Sequence, residues 1–347
     1  MRIRRFLTAA CAATLALLAA CEEPANVPEP TFPQDAWFAL ALTDDSWESH
    51  DTAALVRLDF GGTVRENVVA PKQVDTPPVL DGRDNERAWD HADATTLLLE
   101  PANGGTGIAA VSVKCVYTEA EIFFFLGWQD PSGTGSDIPC RWKYAGGEWY
   151  NRFDEDGQPD ADGELIAEDM LAFLWPNPDA YPGFDQQGCA ATCHAEGDGY
   201  GHGTPSGTYI DGWVWGAGRT NPREQVSDGW LVFVGWGFDV GKAPFLANRP
   251  GDGTVPWTPL YQHTDDPNAN AHYLFEEEAV PFRPEGWLGG NTVPGYVLQI
   301  SDGSRADVRG CGVYSAGCWS VELGRPLLTE DALDFQFLWP EVQGDGE

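Results

Sequence analysis

Residues 111–126 read VSVKCVYTEAEIFFFL, and this stretch decides the fold class. In its first half Val111, Val113, Cys115 and Tyr117 alternate with Ser112, Lys114 and Val116. A period of two puts successive side chains on opposite faces of a strand, so this half has one buried and one mostly exposed face. Residues 122–126 are then apolar without a break, the pattern of a strand covered on both sides. Alternation returns at Trp319, Val321 and Leu323, and again at Phe335 and Phe337. Gly-, Pro- and Asp-rich breaks separate these runs at irregular intervals, with neither a long-period repeat nor a long amphipathic helix. The sequence therefore predicts a mainly β fold, a single large antiparallel β-sandwich with long loops over residues 75–345.

Composition agrees and narrows the function. Forty Gly and 26 Pro among 347 residues are too many for a helical bundle and suit a loop-rich β protein. Fifteen Trp and 17 Phe supply a large core, which excludes global disorder. The 54 acidic side chains against 20 basic ones give a formal charge of −34, and no basic stripe exists to displace counterions from phosphates. Nucleic-acid binding is excluded.

The first twenty residues read as an address. Arg2, Arg4 and Arg5 precede a short apolar stretch, residues 6–20, that is too brief for a stable membrane-spanning helix. It ends Leu18-Ala19-Ala20-Cys21, which resembles a bacterial lipobox in which Cys21 is lipidated and becomes the new N-terminus; an ordinary signal peptide cleaved near Ala20 is the alternative. Cleavage removes three Arg and no acid, taking the formal charge from −34 to −37. Residues 21–74 are expected to be an acidic, Pro-rich tether and N-terminal extension that holds the domain off the membrane. The expectation is an exported bacterial lipoprotein at the outer membrane or cell surface, or facing the periplasm, where disulfides are permitted. Glu22 after Cys21 favours the outer membrane.

Of eight Cys, six follow the leader and Cys21. Cys311 and Cys318 flank a Gly-bounded loop; if Gly312 faces Gly317, the two thiols fall opposite each other and bridge. Cys115 and Cys140 are the second candidate disulfide, with connectivity open. Cys189, Cys193 and His194 read C-x3-C-H, one residue longer than the usual c-type haem attachment motif. Two thiols so spaced can meet the two vinyl groups of a haem while the next His reaches the iron. The alternative is a small disulfide-closed loop with an incidental His. His202, in the Gly-rich residues 197–203, is either a further ligand or a solvated side chain.

Several motifs occur in order along the chain: residues 78–82 (PVLDG) followed by Trp89, 126–131 (LGWQDP), 188–194 (GCAATCH), 211–222 (DGWVWGAGRTNP), 303–308 (GSRADV) and 319–327 (WSVELGRPL). Together they resemble the ethylbenzene dehydrogenase-related, DMSO-reductase-like haem-binding domain family over roughly residues 75–340. The resemblance implies a β-sandwich that carries one haem, c-type or b-type, and passes electrons beside a molybdenum oxidoreductase or within a respiratory chain. It places the cofactor near Cys189, Cys193, His194, Trp213, Trp215 and Arg219. Members commonly read W-H-W-K where this chain has Trp213-Val214-Trp215-Gly216, so a His and a Lys are missing. The resemblance also implies Met and Lys axial ligands for non-covalent haem b. Met170 is the only Met after the leader, and Arg309 stands where Lys is expected; a guanidinium stays protonated and ligates iron poorly. His194, with His202 or Met170, is the better ligand set, while Met170 in an apolar run is equally a core residue.

Trp175, Tyr209, Trp213 and Trp215 either wall a flat macrocycle or pack in the core. Residues 154–164 (DEDGQPDADGE) are a candidate calcium loop or a solvated acidic turn. No G-x-S-x-G elbow, H-E-x-x-H pair or phosphate loop is present. The reading is a lipid-anchored electron-transfer protein with a redox partner and no catalysis of its own. A haem-free, disulfide-stapled sandwich binding carbohydrate or serving adhesion is the alternative, and a calcium-stabilised structural lipoprotein a third.

Overall fold

A computed structural model of the chain describes residues 36–43, 52–60, 67–101, 109–130, 141–151, 168–176, 184, 209–232, 235–250, 258–264 and 270–337. Its strands are β1 (Ala36–Thr43), β2 (Thr52–Leu58), the short β3 (Val68–Val69) and β4 (Lys72–Gln73), β5 (Thr95–Pro101), β6 (Ala109–Tyr117) and β7 (Glu121–Gln129). There follow β8 (Arg141–Ala145), β9 (Glu148–Asn151), β10 (Met170–Pro176), β11 (Ile210–Gly216), β12 (Ser227–Val232) and β13 (Gly235–Phe238). The last are β14 (Phe245–Ala247), β15 (Tyr261–His263), β16 (Ala279–Pro281), β17 (Thr292–Pro294), β18 (Tyr296–Leu298), β19 (Arg309–Ser315) and β20 (Cys318–Pro326).

The main sheet runs β13-β12-β11-β10-β1-β2-β5-β6-β7-β20-β19. Every neighbour pair on this path is antiparallel. Only two residue pairs, Thr52↔Pro101 and Ala53↔Glu100, join β2 to β5. The two halves on either side of this narrow seam pack face to face: Phe38 lies 6.1 Å from Phe124, and Phe124 lies 5.1 Å from Phe173 and 6.3 Å from Trp213. The predicted antiparallel sandwich is what forms.

The opening stretch behaves as its pattern dictates. Val111, Val113 and Cys115 of β6 enter the central core with Ile122, Phe124 and Leu126 of β7. Phe123 points the other way into a second cluster with Val74, Ala88, Trp89 and Val116. The unbroken apolar run exists because residues 74–92 cover the outer face of the sheet. Truncating a ring such as Phe124 to Ala would cost about 3–5 kcal/mol in transfer and cavity energy.

Two expectations are corrected. The sandwich starts before residue 75: β1 lies in the middle of the sheet between β10 and β2, with Phe38 and Leu40 fully buried. Its sequence AWFALALT is apolar throughout because both faces are covered, so no alternation marks it. The bridge between Cys311 and Cys318 is also not formed, and both thiols are free. The β19–β20 hairpin turns on Ala316 (φ 54°) and Gly317 (φ 82°), a two-residue connection with φ positive at both positions that suits the strand twist. This tight turn pairs Ser315 with Cys318 and sets Cys311 opposite Glu322. Four residues along a strand separate Cys311 from Ser315, roughly 13 Å, too far for a disulfide. Cys115 is likewise a free, fully buried thiol, and Cys140 lies outside the described residues.

Smaller sheets β14–β18, β15–β16 and β17–β8–β9 form beside the sandwich. Trp142, Trp287 and Val293 make a satellite core there, with Trp149 and Phe282 packed against it.

Candidate functional site

The C-x3-C-H segment joins β10 to β11, whose facing ends are Pro176 and Ile210. Cys189, Cys193, His194 and His202 lie outside the described residues, as do Cys21 and the acidic residues 154–164. The two strands that bracket the motif hold the other candidates: Met170 begins β10, Trp213 and Trp215 lie on β11, and Arg219 sits in the turn after it.

That turn is built by residues of the DGWVWGAGRTNP motif. Thr220 Oγ1 accepts the Gly216 N–H at 2.9 Å and donates to the Gly216 carbonyl at 3.1 Å. The Glu168 carboxylate accepts the Gly218 and Arg219 N–H groups at 2.7 and 2.9 Å and pairs with Arg219 Nε. A side chain at Gly216 would collide with that carboxylate, since a Cβ there would lie 2.9 Å from Glu168 Oε1. Asn221 Oδ1 accepts the Gly312 N–H at 2.7 Å and its Nδ2 donates to the Gly312 carbonyl at 3.0 Å, clasping β19. Much of this family motif is therefore a scaffold.

Met170 and Arg219, expected near a cofactor, are brought together. Arg219 Nη2 donates to Met170 Sδ at 2.8 Å, and the guanidinium lies 5.1 Å from the Phe245 ring and 5.4 Å from the Tyr296 ring. Both side chains are buried. The thioether faces a cation, so Met170 as arranged does not fit an axial iron ligand. Arg309 is turned outward and pairs with Glu121.

The tryptophans are core residues. Trp213 packs 5.0 Å from Trp175, 5.8 Å from Phe173 and 6.0 Å from Phe337, with the Arg325 guanidinium 5.1 Å from its ring. Trp215 packs 5.1 Å from Trp319 and 6.2 Å from Trp128. Trp319 Nε1 donates to Asp169 Oδ2 at 2.7 Å. Tyr209 donates to the Ala332 carbonyl at 2.9 Å. Trp175, Trp213 and Trp215 are thus buried in the central core, and Tyr209 is half-buried.

One residue that carries another motif escapes sequence reasoning. Glu322, fully buried on β20, accepts the Asp81 and Gly82 N–H groups and Trp89 Nε1, all at 2.7 Å. The PVLDG turn and Trp89 are thus fastened to the sheet by one carboxylate. Gly82 adopts φ +77°, and a Cβ there would lie 2.9 Å from Val313 Cγ2, so this position needs glycine. Burial pushes Glu322 up to about 7 despite the three donated hydrogen bonds, which favour the charged form. The sequence carries no signal for it: Glu322 alternates with the core residues Val321 and Leu323 and so falls on the opposite face, where an acid reads as solvated.

Among the described residues no helix is long and apolar enough to cross a membrane. No curated protein matches the chain. The family profile for ethylbenzene dehydrogenase matches residues 63–341, four-fifths of the chain and every described strand except β1 and β2. The chain belongs to the ethylbenzene dehydrogenase family.

Proposed function

We propose that this protein is a haem-carrying electron-transfer subunit, exported and anchored through a lipid on Cys21. The observation that carries the reading is the C-x3-C-H motif in the connection between β10 and β11 of a chain of this family. Cys189 and Cys193 hold the macrocycle, and His194 is an iron ligand as neutral imidazole. Bound haem supplies one-electron redox chemistry. His202 would be the better second iron ligand, because Met170 Sδ is engaged by Arg219. The partner is a redox protein, a molybdenum oxidoreductase or a respiratory-chain component. A formal charge of −37 after removal of the leader (−34 less three Arg) supports electrostatic docking on a basic partner surface, with encounter slowing steeply as ionic strength rises.

Replacing His194 by Ala tests the ligand assignment. The Soret and visible bands should shift and the reduction potential should move. Spectra that His194→Ala leaves unchanged would overturn the role of His194.

A further inference from the structure

Beyond the haem reading and independent of it, we infer that the sandwich binds a divalent cation of the calcium class through Asp211, Asp228 and Asp334. Asp211 comes from β11, Asp228 from β12 and Asp334 from the segment after β20. Their side chains are 0–4% exposed, and one oxygen from each lies within 4.8 Å of the others. Oxygens that close can all ligate one ion at ordinary metal–oxygen bond lengths. The donors are all hard carboxylate oxygens with no Cys or His among them, which suits calcium rather than zinc or copper.

The charge balance points the same way. Arg325, fully buried, engages Asp211 Oδ2 through Nη1 at 2.8 Å and Asp334 Oδ2 through Nη2 at 3.0 Å. With all three ionised, the carboxylates outnumber this guanidinium by two negative charges, the charge of one divalent ion. Uncompensated buried charge is costly, and the usual remedies are a partner or a metal.

Unpartnered oxygens supply the independent observation. Phe335 N–H and Arg325 take up Asp211 Oδ2, which leaves Asp211 Oδ1 buried without a hydrogen-bond partner. Asp228 uses Oδ1 on the Gly229 N–H, and its Oδ2 is equally without one. Asp239, 5% exposed, has neither oxygen hydrogen-bonded. Asp239 and the half-buried Asp331 converge with Asp334 in a second triplet. These two extend the donor set toward the surface and give the ion a way in. Bound there, the cation ties β11, β12, the residue after β13 and the C-terminal segment to one point.

Calcium titration calorimetry on the full-length, EDTA-treated protein tests this, with terbium luminescence as a second readout. Trp213, close to Arg325, should sensitise terbium on ultraviolet excitation. One saturable calcium site is expected, with a higher melting temperature in calcium. Asp228→Asn should weaken binding at least tenfold, and Asp156→Asn, in the separate acidic segment, should leave it unchanged. If Asp228→Asn does not fold, Asp239→Asn, which removes a carboxylate without a partner, should still weaken binding several-fold. No calcium binding up to millimolar concentration, binding abolished by Asp156→Asn, or an affinity that neither Asp228→Asn nor Asp239→Asn changes would overturn the site.

Discussion

Arg219 reaches across the start of the β10–β11 pair to donate from Nη2 to Met170 Sδ at 2.8 Å, while its Nε meets Glu168. One guanidinium thereby occupies a candidate iron ligand and neutralises a buried acid. Arg219→Ala leaves the Glu168 carboxylate buried without its cation, so urea unfolding should report a loss of about 3–5 kcal/mol. Met170→Leu conserves volume and should cost under about 1.5 kcal/mol. It should also leave the visible spectrum of the purified protein unchanged; a shifted spectrum would restore Met170 to the iron.

Glu322 makes a pH prediction. Its carboxyl is pushed up to about 7 in the folded chain by burial, with Glu86 adding repulsion, from an ordinary value of 4.5. Between those values the folded state holds a proton that the unfolded state has released, so stability falls as pH rises. The contribution is complete below about 4.5 and lost above about 7, on the order of 3 kcal/mol. Glu322→Gln should flatten this window while costing about 1–3 kcal/mol at low pH, because its amide N–H₂ meets the Trp89 N–H instead of accepting it. Urea midpoints of the two proteins measured side by side from pH 4.5 to pH 8 check this, and parallel curves would refute it.

Thiol labelling tests the hairpin register. Cys318 is exposed and should react within the native protein. Cys311 is half-buried, and burial with the acids Glu224, Glu322 and Asp81 pushes its thiol up to about 11, so it should lag. Cys115, fully buried with its thiol also pushed up by burial, should label only on unfolding. A native peptide cross-linked between Cys311 and Cys318 would contradict the pairing of Cys311 with Glu322.

Two glycines of the same hairpin should respond differently to Ala. A Cβ at Gly312 would lie 2.4 Å from Trp215 Cζ2, inside the contact between sheets, so Gly312→Ala should cost about 1–3 kcal/mol by overpacking. Gly317 opens onto free space and needs only its positive φ, so Gly317→Ala should cost about 1 kcal/mol. Thermal melts of the pair that coincide would argue against the Trp215–Gly312 packing.

The fold was legible in β6, where one-sided covering leaves a period of two, and in β7, whose unbroken apolar run directly follows that strand. β1 was hidden because a strand apolar on both faces, following a Pro-rich segment, has no period to read. The Cys311–Cys318 expectation failed on two residues: Ala316 adopts a positive φ that its side chain gives no reason to expect, and with Gly317 it closes a two-residue turn that shifts the register. The site was legible as motifs, and their roles were not. Sequence spacing marks residues 211–222 and 78–82, but only packing shows that Asn221, Thr220 and Glu322 make scaffolds of them. Asp211, Asp228 and Asp334 are far apart in sequence and meet only when β11, β12 and the C-terminal segment are assembled.

The haem is the central claim, and a pyridine-haemochrome spectrum of the wild-type protein, made in a host competent for haem attachment, tests it most directly. The account predicts a haemochrome whose haem resists acid-acetone extraction and becomes extractable when Cys189 and Cys193 are both replaced by Ser. A colourless wild-type protein from that host would contradict it.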